Sequence, residues 1–545
     1  MATATPWRMD RQPGNWLSMA PLRDTRRMKQ TPPTRPGAHL AALVLATFAL
    51  LLPTGTFAQA PPAPAAHSIA ALGGQIDAII HQARFAGAAW GIKVVSLDSG
   101  DTLYSYRPDH LLLPASTAKL YTAALSLDTV GANYRIPTRL LGTGPIRQGT
   151  LEGPLVLYGM GDPSLGATDA TADWADQLAR QLIARGIRRI RGNLIADARY
   201  FTGPRLGPGW EASDLQNWYA APASALTVDE NTMTATVHPA NRPGWPTRVT
   251  LDPADGVGTL RNTMHTGATH SPANINLYRA PNSPTLYAFG SAPAGSPVQH
   301  YRLAINDPLR FAGAQLQRAL AQHGIKLLGH VRTLRWPQQD TDLLAHAQLL
   351  GEVLSPPLID VLRSGLKRSQ NLYLQNLLQI AGVRAQAAAT SDPPPTTFMS
   401  STDWGLHALQ ALLKRIGIAP SEALLEEGTG LSRQDLTTPA ALVRLLQYLA
   451  AQPYADQLRN ALPIAGVDGT LKWRMRDTPA AGNVHAKTGS MTYVDCLAGY
   501  VTTAGGEHLA FAIMLNHYHR PDSAPPAGRD IDAIAELLAT LQGRS

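Results

Sequence analysis

Two stretches of the chain place a serine three residues ahead of a lysine, Ser116-Thr-Ala-Lys119 and Ser364-Gly-Leu-Lys367. On a helix that spacing brings the amine within reach of the hydroxyl. A deprotonated amine there can take the hydroxyl proton and make the oxygen a nucleophile. The chain has only 8 lysines against 39 arginines, so each such lysine carries weight. Context separates the two pairs. Ser116 follows Pro114-Ala115 and opens the apolar run LYTAALSL, at the positive end of a helix dipole, where developing negative charge is favoured. Desolvation of Lys119 beside another cation would lower its pKa into the range of a base. Ser364 lies inside a helix with no such start signal, and it and Lys367 read as surface residues. Two further triplets follow: Ser369-Gln370-Asn371, the only Ser-x-Asn, and Lys487-Thr488-Gly489, the only Lys-Thr-Gly. Each alone fits a turn or a solvated strand; the three in order, 253 and 118 residues apart, form a constellation for acyl transfer to serine.

The elements that must bring these stretches together are legible in part. Ser68 to Phe85 has helical apolar spacing, and residues 88–97 with TLYSYR read as a β-hairpin. A helix is predicted from about Ser116. From 139 to 346 the chain turns to short strands rich in Gly and Pro, with helices at TADWADQLARQLIARGI and DPLRFAGAQLQRALAQHG. After 347 it is helical again, and it ends in the strands NVHAKTG, CLAGYVTT and HLAFAIML and the helix DIDAIAELLATLQ. The start (61–138) and the end (347–545) can therefore form one α+β domain, with 139–346 as a β-rich insertion of one or two smaller domains. A second unit would be nested in it at roughly 215–305.

Composition narrows the class. The 545 residues are 44% hydrophobic and 16% charged, which excludes a wholly disordered or fibrous chain. The net charge is +8, but residues 1–60 supply +5 of it, and the remainder has no basic excess of the kind a nucleic-acid face needs. Residues 40–52, LAALVLATFALLL, follow Arg26, Arg27, Lys29 and Arg35 and precede TFAQA. That is the pattern of a secretory signal peptide over 1–60, cut near Ala58 or Ala60. The apolar run is too short to span a bilayer comfortably, and no later run is longer. No cysteine lies near the cut, so no lipid is expected there. Cys496 is the only cysteine and reads as a small buried hydrophobe. His265 and His270, like His517 and His519, lack partners at metal spacing, so no metal and no cofactor is expected.

The chain resembles the class C, low-molecular-mass penicillin-binding proteins, the D-alanyl-D-alanine carboxypeptidase/endopeptidases of the PBP4 (DacB) type, peptidase family S13. The resemblance runs over nearly all of 68–540. It rests on LLPASTAKLYTAALSL, GMGDPSL at 159–165, APASALTVDEN at 221–231, LKRSQNLYLQNLL, EGTGLSRQDLTTP at 427–439, LPIAGVDGTLKWR at 462–474 and HAKTGSMTYVDCLAGYV. Such proteins carry extra domains between the first two motifs. They have Asp-Gly-Ser-Gly where this chain has Glu427-Gly428-Thr429-Gly430, and often Ser-Asp-Asn in place of Ser-Gln-Asn.

The resemblance implies a serine β-lactamase/transpeptidase-like domain and a division of labour. Ser116 would attack the carbonyl between two D-alanines with Lys119 as base. The backbone N–H groups of Ser116 and Ser490 would hold the oxyanion, Ser369 would relay a proton to the leaving amine, and Asn371 would bind a substrate amide. Lys487 and Thr488 would hold the terminal carboxylate, with Gly489 completing the motif. Asp197 would meet a free amine of the peptide, and Arg433 a peptide carboxylate. The implied partners are peptidoglycan peptides, with β-lactams as covalent inhibitors, and the implied location is the periplasm, without a membrane anchor after cleavage. Two rival readings use the same motifs. One is a serine β-lactamase, although no Glu-x-x-x-Asn element matches the class A deacylation loop; the other is a non-catalytic wall-binding protein.

Overall fold

Strand His508–Asn516 shows how the main layer is built. Ala510, Ala512 and Met514 join one hydrophobic cluster, while Leu509, Phe511, Ile513 and Leu515 join another. Successive side chains on a strand point to opposite faces, so this strand is buried on both. It is the centre of a five-stranded antiparallel sheet in the order Thr102–Tyr106, Ala89–Ser96, His508–Asn516, Val494–Thr502, His485–Met491. The computed structural model describes residues 68–167, 171–254, 258–389 and 397–545. The expected signal peptide lies outside the described residues.

One face of the sheet is sealed by the first and last helices, Ile69–Ile80 and Gly528–Thr540. Their Leu72, Ile76, Ile531, Ile534 and Leu538 share a cluster with Phe511. Ser68 starts the first of them by accepting the Ala71 N–H at 3.2 Å. The other face joins the cluster that holds helices Lys119–Val130, Leu358–Lys367, Asn371–Ala388, Ser401–Arg415 and Pro439–Ala450. The last of these begins with Pro439 behind a Thr438 cap that accepts the Ala441 N–H at 3.0 Å.

Between Val130 and Leu358 the chain leaves this framework and returns. Strands Pro137–Gly142 and Gln348–Leu354 pair antiparallel where it does so. They belong to a second five-stranded sheet, ordered Val331–Leu334, Leu194–Asp197, Leu155–Gly159, Pro137–Gly142, Gln348–Leu354, with helices Trp174–Ala184 and Pro308–Gln322. Residues 232–304 lie within this excursion and form two smaller sheets. One contains Arg248–Asp252, Thr232–His238 and Gln299–Ala304, and the other is built around Thr285–Pro293. The mixed α+β class expected from the sequence is the class observed. Among the described residues no helix is long and apolar enough to cross a membrane.

Candidate active site

The apolar run after Ser116 forms its helix later than its spacing predicts. Ala115–Ala118 is one 3-10 turn, and the α-helix is Lys119–Val130. Ala115 takes a left-handed φ of 45°, and Thr117 Oγ1 closes the turn by donating to the Pro114 carbonyl at 2.7 Å. The turn leaves Ser116 partly open to solvent while Lys119, three residues on, is 0% exposed. Two glycines let neighbouring segments press on it. A Cβ on Gly430, whose φ is 78°, would stand 1.8 Å from the Ala115 carbonyl oxygen, and one on Gly489 would stand 2.6 Å from that of Pro114. Strand His485–Met491 therefore lies directly against the turn that carries Ser116.

Lys119 Nζ donates to Ser116 Oγ at 2.8 Å, to Asn371 Oδ1 at 2.5 Å and to the Thr429 carbonyl at 2.8 Å. All three acceptors are uncharged. Burial pushes the Lys119 pKa down to about 7, against the upward pull of the Glu427 and Asp435 carboxyls. An amine titrating near the working pH is suited to taking a proton from Ser116. The second cation is Lys487, also 0% exposed. Its Nζ donates to Ser369 Oγ and to the Thr488 carbonyl at 2.8 and 2.7 Å. Burial, and then the charge of Lys119, hold it well below the ordinary lysine range. The two lysines thus act on each other through the site.

Ser369 sits just before helix Asn371–Ala388 with a left-handed φ of 54°. Asn371 opens the helix, and both ends of its amide are spent: Oδ1 on Lys119, and Nδ2 on the Tyr219 carbonyl at 2.7 Å. The substrate amide expected as the partner of Asn371 is matched in this structure by Lys119 and the Tyr219 carbonyl. Thr488 Oγ1 shares a hydrogen bond of 2.7 Å with Thr470 Oγ1, and Ser490 is exposed, opposite Asp495 across the sheet. The structure therefore brings Ser116, Lys119, Ser369, Asn371 and the strand of Lys487, Thr488, Gly489 and Ser490 into one place.

A pair of buried carboxyls from the EGTGLSRQD stretch, given no role by their spacing, stands behind Lys119. Glu427 is 1% exposed and accepts the backbone N–H groups of Thr429, Gly430 and Leu431 at 2.9, 2.6 and 3.0 Å. Asp435 is 0% exposed and accepts the Glu426 N–H at 2.7 Å. Burial, and then the neighbouring Glu427, raise its pKa well above the ordinary aspartate value. Glu427 fixes the segment whose Thr429 carbonyl grips Lys119.

Two other expectations fare differently. Asp197 ends strand Leu194–Asp197, is 0% exposed, and accepts from Arg199 Nη2 at 2.7 Å and the Arg199 N–H at 2.9 Å. With its charge met and no surface left, it is not placed to receive a substrate amine. Two acids with surface left, Glu211 and Asp214, lie in the loop leading to Tyr219. Asp214 accepts from Tyr219 Oη at 2.9 Å. Arg433 pairs with Glu211 at 3.0 Å and donates to the Thr492 carbonyl at 3.1 Å, so it bridges that loop to the turn after strand His485–Met491. No spacing signal links residues 211–219 to Asn371; their nearness is purely tertiary. Lys367 is also not the free surface residue expected, since its Nζ pairs with Asp468 at 2.6 Å and donates to the Leu462 carbonyl at 2.9 Å. Among the described residues no group of three or more His, Cys, Asp or Glu is arranged to hold a metal. A cavity of about 640 Å³ around Arg459, His485 and Tyr500 shares no residue with the Ser116 cluster.

A serine hydrogen-bonded to a buried lysine, flanked by Ser-x-Asn and Lys-Thr-Gly, on this sheet-and-helix framework defines a penicillin-binding serine DD-peptidase. The profile of the D-Ala-D-Ala carboxypeptidase 3 (S13) family matches residues 72–541, and the chain belongs to that family. It is 35% identical over 481 residues to a D-alanyl-D-alanine carboxypeptidase of Actinomadura sp. (strain R39), covering 86% of this chain and 84% of the relative. It is 29% identical over 443 residues to the D-alanyl-D-alanine carboxypeptidase DacB of Haemophilus influenzae, covering 80% of this chain and 87% of the relative. The crystal structure of penicillin binding protein 4 (dacB) from H. influenzae superposes with a TM-score of 0.72 at 27% identity, covering 85% of this chain and 97% of that one. The same H. influenzae protein has also been solved in complex with a β-lactam.

Proposed function

We propose that this protein cleaves the bond between D-alanines, or the equivalent cross-link, in peptidoglycan peptides through an acyl-enzyme on Ser116. The observation that carries the reading is the 2.8 Å contact between Ser116 Oγ and a wholly buried Lys119 whose pKa falls to about 7. Neutral Lys119 accepts the Ser116 proton as Oγ attacks the carbonyl carbon. The oxyanion forms against the backbone N–H groups of Ser116 and Ser490, an arrangement in which one donor is worth ~2.7–4 kcal/mol in a studied protease. The C–N bond breaks, and the leaving amine takes its proton through Ser369. Lys487 and Thr488 receive the terminal carboxylate, Asn371 holds Lys119 in line, and Arg433 stands at the rim for a second peptide carboxylate. Water then attacks the ester, with Lys119 again taking the proton, and frees the acid. A β-lactam, an acyl donor with an acid group in the same relative place, acylates Ser116 by the first half of this sequence.

The same reading has the leader 1–60 exporting the chain to the periplasm. It divides the chain into a transpeptidase-like domain from 61–138 and 347–545 and an insertion at 139–346, an outline that the pairing of Pro137–Gly142 with Gln348–Leu354 supports. Labelling with a fluorescent penicillin followed by peptide mapping tests it. A tag on Ser116, lost in Ser116→Ala, is expected; a tag on Ser364, or none, overturns it. Free D-alanine from a pentapeptide, or monomers from a cross-linked dimer, then tell carboxypeptidase from endopeptidase action.

A further inference from the structure

The middle residue of Ser369-Gln370-Asn371 is buried, and what it faces comes from the inserted part of the chain. Gln370 is 1% exposed, and its Nε2 donates to Glu230 Oε2 at 2.5 Å. Glu230 is 4% exposed and accepts three more donors: Arg302 Nη2 at 2.7 Å on the same oxygen, and Arg368 Nη2 at 2.6 Å and Tyr373 Oη at 3.1 Å on the other. Three of the four, Arg368, Gln370 and Tyr373, lie in the six residues that contain Ser369 and Asn371. We propose that Glu230 is a positioning residue for this triplet, acting through Gln370. The proposal rests on the roles given above to Ser369 and Asn371.

Two observations argue against mere packing. Asp229, Glu230 and Asn231 all have left-handed φ values, 50°, 58° and 53°, and Ser369 has one of 54°. Residues with side chains hold such conformations at a cost, and they persist where the surroundings over-determine them, often at functional sites. Here the surroundings do so: Gln315 Nε2 donates to Asp229 at 2.8 Å, and Asn231 Nδ2 donates to the Pro222 carbonyl at 3.1 Å. Second, Gln370 Oε1 is buried and has no hydrogen-bond partner among the described residues. An apolar side chain would avoid that penalty, so the amide is present for its Nε2 end. Glu230 thus sets the residue between Ser369 and Asn371 from one side, while the Tyr219 carbonyl, also outside the helical framework, sets Asn371 from the other.

In this chain an acid at 370 would put two carboxylates in contact away from water. The test compares wild type, Gln370→Glu, Glu230→Gln and the exchanged double variant for penicillin acylation rate and for melting temperature. Each single variant is expected to acylate at least about tenfold more slowly while remaining folded, and the exchange, which restores one amide against one acid, to recover to within about threefold of wild type. A purely structural role would lower melting without that recovery. Single variants as fast as wild type, or a double variant no better than the worse single, overturn the proposal. Should Gln370→Glu not fold, Glu230→Asp is read in the same assay; it keeps the charge but withdraws it from Gln370, and an unchanged rate overturns the proposal as well. A wild type that takes no label overturns the Ser116 reading and this one with it, whereas a labelled wild type beside an equally fast Gln370→Glu overturns this one alone.

Discussion

Ser116–Lys119 and Ser364–Lys367 share a spacing and differ in everything around it. Lys119 is fully buried and meets only neutral oxygens, one of them the Ser116 hydroxyl. Lys367 gives its ammonium to Asp468. An amine that is half of an ion pair has no lone pair to offer a serine. Burial without a contacting carboxylate is therefore what turns this spacing into a base and nucleophile, because desolvation alone penalises the charged amine. The carboxyls near Lys119 are kept one step back: Glu427 and Asp435 both accept backbone N–H groups and neither touches Nζ.

The contrast can be broken most directly at the serines. Ser116→Ala is expected to abolish penicillin labelling, and Ser364→Ala to leave it unchanged; a gel of labelled protein reads both. At the lysines, Lys119→Met should slow acylation by ~10²–10⁴, the range of general-base catalysis. Lys367→Met should cost less than about threefold in rate and about 1 kcal/mol of stability, since its ion pair is partly solvated. The pH profile sharpens the comparison. Neutral Lys119 is the active form, so acylation should rise with pH through a midpoint near 7 and level off above it. A flat profile from pH 5 to 9 would remove Lys119 from the base role. Glu427→Gln should move that midpoint to lower pH, because Glu427 is the larger of the two carboxyl influences that raise the Lys119 pKa, and should cost ~1–3 kcal/mol in melting experiments through weakened backbone hydrogen bonds. The smallest effect is expected from Asp435→Asn: its carboxyl raises the Lys119 pKa less than Glu427 does, so the midpoint should fall by less.

The groups that the fold gathers around Ser116 were readable in the sequence because their spacing is local: a serine and lysine three apart, and a lysine on a strand. The main sheet was readable because strands such as HLAFAIML are apolar throughout, as burial on both faces requires. What was not readable is tertiary. Asn371 carries a side chain with two hydrogen-bonding ends, and nothing in its spacing shows that Lys119 and Tyr219 occupy both. Asp197 was assigned to substrate, yet Arg199, two residues on, was the local sign that its charge is already met. Glu427 and Asp435 lie eight residues apart in a stretch without regular spacing, and only folding sets one against the other. The short strands of 232–304 left the layout of their sheets equally hidden.

The order of strands across the main sheet also bears on when the enzyme can first work. Residues 89–96 pair with 509–516, so the strands beside Ser116 come from chain made long after it. An emerging chain carries Ser116 for more than 350 residues before the strand that completes its pocket exists. A chain cut before residue 485 is on this account expected to take no penicillin label, with labelling appearing only once the final hairpin and its covering helix have docked.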